Sequence, residues 1–274
     1  MIMILIYHLI VMGQLYLVCR NKTVSIKELV QTFAVGATAA VLGNFLIQGI
    51  VVRFIGSHIT VYTVGPVAEE LIKISFVVFL LFKTRLGKTT SIEDGLLLGA
   101  AVGAGYGFTE DAVRAVGLGL KEMLGYFPGY DLKNILTLLT TWLPSEREGM
   151  GAISYYNIFI AGHLLWSALA GVGFSIALKL PSRFKWRYLI PIFLLIWVII
   201  DHSLCNNTRS MLRFVHSWYG YGLGIRYVLT AFLILAVIGD ELILRRKLTL
   251  DESLLIPGEK KRTIFSELFL TLTS

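Results

Sequence analysis

Seven runs of about twenty residues, each nearly free of charge, divide this chain of 274 residues: 2–19, 29–52, 64–82, 95–118, 153–178, 188–206 and 221–243. A hydrocarbon layer of ~30 Å is crossed by ~20 apolar residues in helical form. In lipid a helix satisfies its own backbone groups. The runs therefore predict an all-α fold, a polytopic membrane bundle of about seven transmembrane helices. Composition agrees: 55% of residues are hydrophobic and 16% charged, against ~45–50% and ~25% in soluble domains. A net charge of +7 would point a soluble protein towards nucleic acid. Here the charges form short loop clusters between apolar runs, so they speak for topology and anionic headgroups, with no nucleic-acid partner. Cys19 and Cys205 form neither a disulfide framework nor a zinc-spaced pair.

The first run has no basic residue ahead of it and no small-x-small cleavage site after it, so it reads as a retained span rather than a signal peptide. Basic residues set the orientation. With the N-terminus outside, sixteen Lys and Arg fall on the inner side, seven on the outer side, and Lys73 and Arg114 inside spans. That asymmetry predicts N-out, C-in. The short apolar stretch 131–144 is expected to lie at the surface or over the bundle. Residues 1–250 read as a single integral-membrane domain with a motif core at 64–207, and 251–274 as a basic, amphipathic cytoplasmic tail.

Within the spans, a few polar residues break the pattern. A charge near the middle of a spanning helix costs at least ~2.5–3.5 kcal/mol, so such residues mark function. Glu69 and Glu70 fall in the outer half of the third run, Glu110 late in the fourth, His163 about ten residues into the fifth, and His202 and Asn206 near the end of the sixth. Four helices thus deliver polar side chains to one depth, in the outer leaflet. Glu69 and Lys73, Glu110 and Arg114, and His202 and Asn206 each stand at i, i+4 on one face. Gly99, Gly103 and Gly107 recur at four-residue steps, and Ser167 and Gly171 follow His163 at the same step. Such small-residue stripes let helix backbones approach closely. His8, His58 and His216 have no polar companion at helical spacing and receive no role.

This set suits hydrolysis by an activated water. A carboxylate takes the proton, a neighbouring histidine holds the water or protonates the leaving amine, and an asparagine amide donates to a tetrahedral oxyanion. The same set, with His163, His202 and Glu110 as donors, suits a divalent metal such as zinc with a position left open for water. Buried carboxylates and histidines also serve proton- or cation-coupled transporters, which usually carry inverted repeats; none is visible here. A catalytically silent membrane scaffold is the remaining alternative.

The residues also resemble a known family. "PVAEELIK" (66–73) looks like the EExxK motif of the PrsW-type intramembrane proteases, within the wider group of CAAX prenyl endopeptidases and bacteriocin-processing proteins. "EDGLLLGAAVGAGYGFTED" (93–111) is similar to the second motif, a DG pair and a glycine-rich run leading to an aromatic residue and a glutamate. Asp111 stands where the family usually has asparagine. "GHLLWSALAG" (162–171) resembles the histidine motif, and "DHSLCNN" (201–207) the terminal HxxxN. The ordered set covers residues 64–207, about half the chain.

The resemblance implies a multi-pass protease of a prokaryotic cell membrane. Its substrate would be a membrane-anchored protein or peptide, of the kind exemplified by anti-sigma factors, prenylated proteins and exported peptides. Glu69 or Glu70 would activate water, Glu110 and His163 would position or share it, and His202 with Asn206 would stabilise the oxyanion. Metal-dependent and metal-free routes both stay open.

Overall fold

The computed structural model describes residues 2–83, 91–118, 151–180, 183–206 and 232–240. Among these residues every regular element is helical. Helix α1 spans Ile2–Val18, α2 Ile26–Val35, α3 Val41–Ile55, α4 Gly65–Lys83, α5 Ile92–Leu118, α6 Gly151–Lys179 and α7 Leu189–Asn206; residues 232–240 are helical as well. The first six apolar runs agree with these helices to within a few residues. The stretch 131–144, the segments 221–231 and 241–243 of the seventh run, and the tail 251–274 lie outside the described residues.

Helices α2 and α3 form one rod through a π turn at Gly36–Ala40. The rod Ile26–Ile55 and the segment Lys185–Ser203 are the two described helices long and apolar enough to cross a membrane. Ser25 starts α2 with a capping box: its hydroxyl accepts from the Glu28 N–H at 3.3 Å, and the Glu28 carboxylate accepts from the Ser25 N–H at 2.7 Å. In the π turn, the Ala37 carbonyl accepts from Thr109 Oγ1 at 2.8 Å, fastening the rod to α5. A second π turn, Thr60–Val64, leads into α4.

Helix α5 is the centre of the bundle. It packs chiefly on α6 and also against α1, α2 and α4. Its small residues make this possible: a Cβ on Gly103 would stand 2.2 Å from the His163 carbonyl oxygen, and one on Gly105 would stand 2.0 Å from that of Phe33. The glycine face seen in the sequence is thus where α5 and α6 meet backbone to backbone. Leu97, Leu98, Val102, Leu169 and Val198 are fully buried around this seam. Outward faces are apolar instead of polar; Phe54 is 82% exposed and Leu46 70%. Exposed apolar faces around buried charges invert the soluble pattern and suit lipid contact.

At the opposite end from the carboxylate–histidine residues, a polar knot ties the connections together. Asp94 accepts from Thr23 N at 2.6 Å, Thr23 Oγ1 at 2.8 Å, Val24 N at 2.9 Å and Ser91 N at 2.8 Å. Glu93 accepts from the Asn21 N–H. Asp240 accepts from Ile92 N and from Lys179 Nζ, each at 2.9 Å. The end of α1, the start of α5, the end of α6 and residue 240 therefore meet at one end, as an alternating path requires.

Candidate active site

Charges removed from water need partners, and the bundle supplies them from five helices. Pro66 stands in the first turn of α4, where its missing N–H costs nothing. One turn on, α4 buries Glu69, Glu70 and Lys73. Helix α5 brings Tyr106 and Glu110, α6 His163 and Trp166, α7 Asp201 and His202, and α3 Asn44 and Gln48.

Glu70 is held on both sides. Its Oε1 accepts from Lys73 Nζ at 2.6 Å and lies 2.8 Å from His202 Nδ1. Lys73 Nζ also stands 3.1 Å from His163 Nδ1 and 4.9 Å from the centre of the Tyr106 ring. The spacing alone joins Lys73 to Glu69 at i, i+4; in the structure it pairs with Glu70 at i, i+3. The reason is that Glu69 turns to α3, where its Oε1 accepts from Gln48 Nε2 at 3.0 Å and Asn44 Nδ2 at 3.2 Å.

The other oxygen of Glu69 is different. Its Oε2 is buried with no hydrogen-bond partner among the described residues, and His202 Nε2 lies 3.6 Å from it. His163 Nε2 stands 2.6 Å from Glu110 Oε2. The rings of His163 and His202 meet edge to face, centroids 4.9 Å apart. Trp166 stacks on His202 at 4.2 Å and donates its indole N–H to Asp201. His202 is therefore fixed by a carboxylate on one edge and an aromatic plane on its face.

Of the residues singled out in the sequence, Glu69, Glu70, Glu110, His163 and His202 meet here. Asn206 closes α7 one turn beyond His202, and its side chain lies outside the described residues, as does that of Arg114. Asn44 and Gln48 belong to no motif noted in the sequence, although two amides at i, i+4 in an apolar run are a usable signal. His8, without a polar companion at helical spacing along its own run, also lies near the site. His8 is fully buried on α1, and a Cβ on Gly107 would lie 3.2 Å from its Nε2 and 3.5 Å from His163 Cδ2. Only packing of α1 against α5 brings it there, and spacing along α1 could not show it.

The donors fit a divalent metal. One ligand atom each from Glu69, His163 and His202 lie within 4.8 Å of one another, all three residues buried. Glu69 thus stands in the trio where the sequence reading set Glu110, which contacts His163 instead. Glu69 Oε2 and His163 Nε2 both lack an aligned hydrogen-bond partner among the described residues. His202 turns its second nitrogen to Glu70, the second-ligand contact that commonly orients a metal-bound imidazole.

No curated protein and no solved structure matches the chain. A family model does, over residues 25–238, well beyond half the length and across all five helices of the site: PrsW family intramembrane metalloprotease. Ordered motifs, an all-helical bundle, a buried carboxylate–histidine centre and this match agree, and the chain belongs to the PrsW family of intramembrane metalloproteases.

Proposed function

We propose that the protein cuts a peptide bond of a membrane-anchored protein, with Glu69 as the residue that activates water. The observation that carries this choice is the asymmetry of the two glutamates. Glu70 Oε1 is tied to the Lys73 charge and to His202, whereas Glu69 Oε1 takes only the neutral amides of Asn44 and Gln48 and its Oε2 is buried without a hydrogen-bond partner among the described residues. A general base needs a free oxygen within reach of its water.

In this reading Glu69 Oε2 removes a proton from water, and the oxygen adds to the scissile carbonyl carbon. The role of stabilising the oxyanion that results is assigned to His202 with Asn206, as the sequence motif suggests; such donors are worth ~2.7–4 kcal/mol in other hydrolases. Glu69 then returns the proton to the leaving nitrogen, the C–N bond breaks, and a carboxylic acid and an amine result. Glu110 and His163 position the water. Glu70 and Lys73 hold His202 and His163 in place. On the metal-dependent alternative, Glu69, His163 and His202 would hold a divalent metal, whose chemistry is to acidify water and polarise a carbonyl, and Glu69 would then serve as a ligand in place of the base. The bundle is read as seven spans within residues 1–250 with the N-terminus outside, supported by the asymmetry of basic residues, which would put this chemistry in the outer leaflet.

The test uses the full chain in liposomes with a library of single-span reporters varied next to the membrane on the outer side, products being read by mass spectrometry. Glu69→Gln should abolish all cuts while the protein still folds. Undiminished cleavage by that variant would sink the assignment. Chelator treatment followed by zinc addition separates the metal-dependent route from the metal-free one.

A further inference from the structure

Outside every motif noted in the sequence, α3 sends two neutral amides into the site. We propose that Asn44 and Gln48 are positioning residues that hold Glu69 in its working orientation. The inference rests on the reading of Glu69 as the water-activating carboxylate.

Both amides donate to the same oxygen, Glu69 Oε1, at 3.2 and 3.0 Å. They are themselves fixed: Gln48 Nε2 reaches Asn44 Oδ1 at 3.2 Å, and Asn44 Nδ2 donates to the Tyr106 hydroxyl at 2.5 Å. Tyr106 is only 3% exposed on the central helix. A chain of hydrogen bonds therefore runs from the core of α5 through α3 to one oxygen of Glu69, and turns the other towards His202.

The chemistry of the pair matters. An amide donates without bringing a charge and does not ionise at working pH, so it orients a carboxylate without neutralising it. A lysine in the same place would compete for the role Lys73 plays at Glu70. Room for the contact is built into α4: a Cβ on Gly65 would stand 2.9 Å from Gln48 Nε2. A side chain there would press on the amide that reaches Glu69.

Two measurements test this on the full chain in lipid nanodiscs. With nitrogen-15 in asparagine and glutamine, the side-chain amide resonances of Asn44 and Gln48 should move when Glu69 is replaced by Gln. Resonances that stay in place overturn the contact. On the reporter that the wild type cuts fastest, Asn44→Leu and Gln48→Leu should each lower kcat by about 10–100-fold, the range for outer partners of a site, with KM unchanged. A wild-type kcat, or kcat and KM changing only in step with a fallen Tm, overturns the positioning role. Asn44→Asp and Gln48→Glu, close in size, keep the test available should the leucine variants fail to fold; they too should lose kcat, and retained kcat counts against the proposal. Cleavage surviving in Glu69→Gln refutes the reading of Glu69 as base, and the amide resonances then decide the contact alone.

Discussion

Lys73 shows what a buried charge does in this site. It is wholly removed from solvent, yet it meets a carboxylate, an imidazole nitrogen and a tyrosine face. Removing one partner of a buried pair typically costs about 3–5 kcal/mol, because the other charge is left uncompensated. Lys73→Met should therefore lower the Tm in detergent well beyond a surface lysine substitution, and Lys73→Met with Glu70→Gln should recover part of the loss. A single variant melting with the wild type would contradict the pairing. Glu69, Glu70, Glu110, His163 and His202 were legible in the sequence because charge and imidazole stand out sharply in apolar runs. Asn44 and Gln48 were legible only as a pair of amides at helical spacing, without a target. An amide is a milder exception in a span, and their target lies on another helix, 25 and 21 residues further along.

At the scale of elements, the seam between α5 and α6 fixes where His163 stands. Gly103 lets the two backbones touch, and an added methyl would sit 2.2 Å from the His163 carbonyl oxygen. Backbone cannot swing aside as a flexible side chain can. Gly103→Ala should cost about 1–3 kcal/mol, as overpacking does, and should also reduce cleavage by displacing His163. Gly13→Ala on α1 is the control, since a Cβ there meets nothing within 4 Å. Equal Tm values for the two variants would refute this account of the seam. The stripe was readable from its four-residue step, and the helices from the length of the apolar runs. The two π turns were not readable, because a run apolar on nearly every side carries little phase information.

Across the whole molecule, the carboxylate–histidine cluster at one end is matched by the polar knot at the other. Glu93 lies two residues ahead of the apolar run of α5 and is fully buried. Its Oε1 has no hydrogen-bond partner among the described residues. Burial pushes its carboxyl up to about 7, from an ordinary value of 4.5, despite the opposing hydrogen bond from the Asn21 N–H. A folded value above the unfolded one means the contribution to stability is whole below about 4.5 and is lost as pH rises through about 7. Tm should therefore fall as pH is raised across that window, and Glu93→Gln should flatten the slope; an unchanged slope would exclude Glu93 as its source. The knot escaped the sequence reading because its members come from four separate connections that only the folded path unites. The rod of α2 and α3 has a comparable global effect. Its π turn holds one residue more than an α turn, so α3 is rotated by about 100° relative to an unbroken count from α2. A helical wheel drawn without that residue would swing Asn44 and Gln48 more than a quarter-turn away from Glu69. The number of residues between Gly36 and Ala40 thus sets the phase of the site, and a change of length there acts as a change of angular register.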